Sequence, residues 1–152
     1  MKKFSIVCLL FIAGSLSAQT GIFAGLGVET NANTREGATF GGSLASGLDL
    51  NQWFCLGVKI AFSADMGTVN TLELPAFFRY YLPLKLSGLF AQAELGGSFF
   101  FYDGETYPAF LGGLAVGWRY DTGKNWYIEP SVRGGYPFVW GVGLQAGTSF
   151  DL

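Results

Sequence analysis

The sequence predicts an all-β fold: an eight-stranded antiparallel up-and-down barrel embedded in a lipid bilayer. Three observations lead there. The chain is 50% hydrophobic yet only 13% charged, where an ordinary soluble domain carries roughly 25% charged residues. Beyond the first segment, no apolar run approaches the ~20 residues that a membrane helix needs. Hydrophobicity instead alternates with a period of two in segment after segment, as it does in strands that face lipid on one side only.

The first element is a leader. Met1-Lys2-Lys3, the apolar run Phe4 to Ala13 and the small-residue stretch Gly14 to Ala18 have the three parts of a secretory signal peptide. Cleavage is expected after Ala18, leaving residues 19–152 as one barrel domain. Without Lys2 and Lys3, seven basic residues face eleven scattered acidic ones. No basic patch for nucleic acid is present. Cys8 lies inside the apolar run, so Cys55 is the single cysteine of the exported domain and no internal disulfide is expected.

Strands follow in order. After Gly21 to Glu29, the stretch Ala38 to Leu50 sets Phe40, Leu44 and Leu48 against Thr39, Ser43 and Asp49. In Trp53 to Asp65, Phe54, Leu56, Val58, Ile60 and Phe62 alternate with Cys55, Gly57, Lys59, Ala61 and Ser63. Leu72 to Leu82 alternates with Glu73, Pro75, Phe77, Arg79 and Tyr81, and Leu89 to Phe99 with Gln92, Glu94, Gly96 and Ser98. Phe110 to Tyr120 opposes Gly113, Ala115, Gly117 and Arg119; Trp126 to Val132 opposes Glu129, Ser131 and Arg133; Trp140 to Phe150 opposes Gly141, Gly143, Gln145 and Gly147. Turn-forming residues join them at 49–52, at 82–85 around Pro83 and at 121–125. The other connections, 30–37, 65–70, 102–107 and 134–137, are expected at the opposite end and are short.

Which face lies inside follows from volume. An eight-stranded barrel has an interior just wide enough for its own side chains. Most bulky residues share the apolar parity and would overfill it, so that parity faces lipid. A soluble, lipocalin-like ligand-binding cup is the alternative reading, and the packing argues against it. Two aromatic girdles fit the same orientation: Trp53, Tyr80, Tyr81, Trp118, Tyr120 and Trp126 near one end, and Tyr102, Tyr107, Tyr136 and Trp140 near the other. On this assignment Val58→Arg is expected to be costly and Gly57→Ala much milder.

The leader, the eight alternating strands and the stretches Leu72-Glu-Leu-Pro-Ala-Phe-Phe-Arg-Tyr-Tyr81 and Tyr127-Ile-Glu-Pro-Ser-Val-Arg133 resemble the small outer-membrane barrels of the OmpX, OmpW and OmpA transmembrane-domain type. The chain departs from the terminal aromatic usual there, ending Phe150-Asp151-Leu152. The resemblance implies a monomer in the outer membrane of a diderm bacterium. Its partners would be the membrane lipids and, during biogenesis, periplasmic chaperones and the barrel-assembly machinery. It also implies a structural or surface-interaction role, with a narrow OmpW-like channel for small apolar solutes as the alternative.

The candidate site is the set of charges on the small-residue parity: Lys59, Glu73, Arg79, Glu94, Arg119, Glu129 and Arg133. Buried charges demand partners, so these are expected to pair and plug the lumen, with Arg119 and Glu129 as diagonal neighbours. Lys59, Glu94 and Glu129 are expected near mid-height, Arg79 and Arg119 toward the 49–52 turn, and Glu73 and Arg133 toward the other end. The chain has no histidine, so the usual triads and dyads are absent and no catalytic residue is expected. No metal-ligand cluster or cofactor motif is visible. Gly141-Val-Gly-Leu-Gln-Ala146 sits in a strand with no helix after it, which is not a dinucleotide fingerprint.

Overall fold

A computed structural model describes residues 21–33, 37–65, 67, 69–83 and 88–151. The expected leader, residues 1–18, lies outside the described residues, as do Lys85 and Leu152.

Nine strand segments run β1 (Gly21–Asn33), β2 (Gly37–Asp49), β3 (Phe54–Ala64), β4 (Asn70–Tyr81), β5 (Leu89–Tyr102), β6 (Glu105–Trp118), β7 (Tyr120–Asp121), β8 (Trp126–Tyr136) and β9 (Trp140–Asp151). All pair antiparallel with their neighbours, β1 also pairs with β9, and β6 and β7 both pair with β8. The sheet therefore closes on itself. β6 and β7 are one stave of an eight-stranded barrel, because Gly117↔Ser131 and Tyr120↔Ile128 keep a single register across the break. The break has a local cause: Pro130 stands opposite it and has no N–H to give to the ladder. Pro75 does the same between β3 and β4, where pairing is interrupted from Val58↔Ala76 to Ala61↔Glu73 with the register unchanged.

β1, β4, β5, β6 and β8 run further than the alternation alone indicated, and the added length is at one end, here termed the upper end. The expected 102–107 loop is a two-residue hairpin. Asp103 (φ 50°) and Gly104 (φ 78°) both take left-handed backbone, as a type I′ turn between right-twisted strands requires. At the lower end lie the turns at 50–53 and 122–125.

Burial sorts by parity. Leu26, Val28, Leu44, Val58, Ile60, Leu95, Leu114, Val116, Val132 and Leu144 form an exposed apolar band, with Leu26 and Leu114 each 69% exposed. Trp53, Trp118, Tyr120 and Trp126 stand exposed at its lower edge, and Tyr102, Tyr107, Tyr136 and Trp140 at its upper edge. Tyr81 does not join the lower girdle. It points inward, where its hydroxyl accepts from Arg79 Nη1 at 3.2 Å.

The interior is less uniformly small than the sequence suggested. Phe23, Phe77, Phe90, Leu111 and Tyr127 are buried inside. Four of these rings lie directly across from an inward glycine: Phe23↔Gly47, Phe77↔Gly57, Phe90↔Gly117 and Tyr127↔Gly147. A Cβ on Gly57 would sit 2.3 Å from Phe77 Cζ and 2.6 Å from the Ser46 carbonyl oxygen. The missing side chains are the space that the rings fill, so the expectation that Gly57→Ala is mild is overturned.

Candidate functional site

All eight staves supply charged or amide side chains to the lumen, and the pleat aims them inward because they share one parity. They form two layers. In the lower layer Arg79 (β4) grips Glu129 (β8) with two parallel hydrogen bonds, Nη1 to Oε2 at 2.8 Å and Nη2 to Oε1 at 2.7 Å. Arg119, between β6 and β7, donates Nε to the same carboxylate at 3.0 Å and places Nη1 3.7 Å from Asp49 Oδ2. The shared register sets Arg119 directly opposite Glu129, not diagonal to it. Both guanidinium groups also lie over aromatic rings, Arg79 at 3.9 Å from the Phe90 centroid and Arg119 at 4.3 Å from that of Tyr127. The ring faces offset part of the desolvation that two buried cations incur.

In the upper layer Arg133 (β8) binds three carboxylates. Its Nη1 donates to Glu73 at 2.8 Å and to Glu29 at 3.4 Å, and its Nη2 lies 3.3 Å from Glu94 Oε2. Lys59 (β3) donates to Glu29 Oε2 at 3.1 Å, and Asn31 Nδ2 to Glu29 Oε1 at 3.3 Å. Gln92 joins the layers, accepting from Arg79 Nε at 2.9 Å and donating to Glu94 at 2.8 Å. One amide thus meets a donor below and an acceptor above, which fixes its orientation. A cavity of about 40 Å³ lies between the layers, lined by groups including Lys59, Glu94, Glu129 and Arg133. It has room for about two or three water molecules.

All seven residues expected in the lumen are there and buried, with Glu129 in the lower layer beside the arginines and Glu94 in the upper one. The sequence reading missed Glu29, Asp49 and Gln92 as members. Glu29 was findable: Phe23, Gly25, Gly27, Glu29 and Asn31 share a parity, opposed to Ile22, Ala24, Leu26 and Val28. Asp49 already stood on the polar parity of its strand. Cys55 is buried at the lower end and unbridged. Among the described residues, no group of three or more His, Cys, Asp or Glu side chains is placed to hold a metal ion.

A closed wall of eight antiparallel staves, apolar outside and charged inside, defines the small transmembrane β-barrel fold. Solved structures give particular likenesses. Neisserial surface protein A (NspA) superposes with a TM-score of 0.61 at 14% identity, covering 88% of this chain and 97% of that one. OprG, an outer membrane protein of Pseudomonas aeruginosa, gives 0.59 at 9% identity, covering 88% and 96%. The N-terminal β-barrel domain of Pseudomonas aeruginosa OprF gives 0.56 at 19% identity, covering 88% and 98%. By sequence, no family model and no curated protein matches the chain.

Proposed function

We propose that the chain is an integral outer-membrane barrel with a side-chain-plugged lumen, serving a structural or surface-interaction role and not a catalytic one. Residues 1–18 are its export signal, and the upper end is the extracellular one. The fold shared with outer-membrane and surface proteins supports the location. One observation carries the plug: two charged layers, held by cross-lumen pairs between β4 and β8 and among β1, β3, β5 and β8, leave a space of only about 40 Å³ between them. Opening such a lumen means separating Arg79 from Glu129, and parting a buried ion pair leaves each charge uncompensated. The test is a planar lipid bilayer. Purified wild-type protein is expected to give no steady ion current; a stable current would instead favour the narrow conduit for small solutes.

A further inference from the structure

The three-residue connection between β8 and β9 carries the single described connection residue of the upper end that is buried, Phe138, 2% exposed. Its neighbours Tyr136, Val139 and Trp140 are all exposed, at 51% or more. The ring is therefore turned alone into the barrel mouth. There it stacks on Arg133, whose Cζ lies 3.6 Å from the ring centroid. Its far edge reaches the wall of β6, where a Cβ on Gly113 would sit 3.2 Å from Phe138 Cζ. The backbone beside it is tied down, since Val139 N–H donates to the Ala32 carbonyl of β1 at 2.8 Å. The ring thus caps the guanidinium that itself reaches across the lumen to Glu73, Glu29 and Glu94, and packs against β6, the stave next to β8.

The polar residues at this end are also out of water. Asn31, Thr39, Ser63 and Thr71 are each 4% exposed and Ser98 is fully buried, although uncharged polar side chains in a barrel mouth ordinarily meet water. The Ser98 hydroxyl, on β5 opposite Glu73, has no hydrogen-bond partner among the described residues. Among the described connection residues of the upper end, Phe138 is the one whose side chain is buried at this mouth. We infer that Phe138 is an aromatic stopper of the upper mouth, closing the upper charged layer to external solutes independently of the lower Arg79–Glu129–Arg119 layer. The barrel then has two closures in series. This deepens the plugged-lumen reading and rests on it.

The test uses thiols as reporters at the two ends. Ser98→Cys, made with Cys8→Ala and Cys55→Ala, is close to isosteric and gives up no hydrogen bond; native Cys55, with Cys8→Ala alone, reports the lower end. Both barrels, folded in liposomes and checked for heat-shifted gel mobility, are treated with a small anionic methanethiosulfonate. The thiol introduced by Ser98→Cys is expected to react at least about tenfold faster when Phe138→Ala is added, because reagent access limits a buried thiol. Phe138→Leu should keep most of the protection, and Cys55 should stay equally protected with and without the ring. An unchanged rate at the upper-end thiol on removing the ring overturns the stopper. So does a parallel rise at Cys55, which would mean general loosening. The bilayer current of the wild type reads the plugged-lumen proposal separately from this labelling ratio.

Discussion

Gly57 and Phe77 face each other across β3 and β4, and the ring occupies the volume that any side chain at 57 would need. The same arrangement recurs at Gly47, Gly117 and Gly147. These glycines are chosen for what they leave vacant, not for backbone freedom. Gly57→Ala should therefore cost about 1–3 kcal/mol by overpacking against Phe77 and the Ser46 carbonyl. Val58→Arg, placing a charge in the apolar band, should cost about 2–4 kcal/mol if it lies near mid-membrane. Urea unfolding of the two variants in lipid vesicles is expected to give costs of the same order. Phe77→Leu added to Gly57→Ala should recover part of the loss, since the two side chains compete for one space. Full additivity would show that the ring and the new methyl do not meet.

The elements are tied to one another by charge across the lumen as well as by ladders around the wall. β4 and β8 are not neighbours, yet Arg79 and Glu129 join them at 2.7 Å, and Arg119 adds a second tie to the same carboxylate. Glu129→Ala leaves both guanidinium groups facing no carboxylate of comparable proximity, a loss of about 3–5 kcal/mol where water does not enter. Glu105→Ala removes an exposed acid whose partner is the Tyr107 hydroxyl at the hairpin tip, and stability should hardly move. Chemical denaturation of the pair checks the contrast; equal effects would deny the tie a structural role. Element ends give a further test. Gly104 sits at φ 78° in the β5–β6 turn, and left-handed backbone costs a β-branched residue there about 1–2 kcal/mol. Gly104→Val should lower stability by that amount, whereas Asp103→Gly should be tolerated.

At the scale of the whole molecule, the period-two alternation made the eight staves, their inner and outer faces and the seven lumen charges legible in the sequence. What it did not reveal was anything set by cross-strand register. The inward turn of Tyr81 follows from the parity it shares with Arg79, whereas the pairing of each inward aromatic with a glycine and the grouping of Glu129 with Arg79 depend on which residues stand opposite. A strand read alone carries no such information. Glu29 escapes for another reason: it marks the expected end of the first strand, while its inward parity runs on through Asn31 to the upper end of β1. Phe138 lies in a connection, where alternation gives no rule at all. The global prediction therefore rests on the outer wall, which was legible throughout. Its apolar band is exposed from Leu26 and Val28 round to Leu114, Val116 and Val132, far beyond the few hundred Å² that a soluble monomer leaves bare. Closure pairs every stave with two neighbours, so apart from the interruptions opposite Pro75 and Pro130 the backbone groups along the band are paired within the wall, as lipid requires. Urea-unfolded protein diluted into detergent micelles or lipid vesicles should fold to a strand-dominated circular dichroism spectrum and migrate differently on gels before and after boiling. Diluted into plain buffer it should aggregate, because the band then has nothing to cover it. A monomeric, strand-rich protein that stays soluble without amphiphile would place the apolar parity inside and reverse the assignment of every residue on the wall.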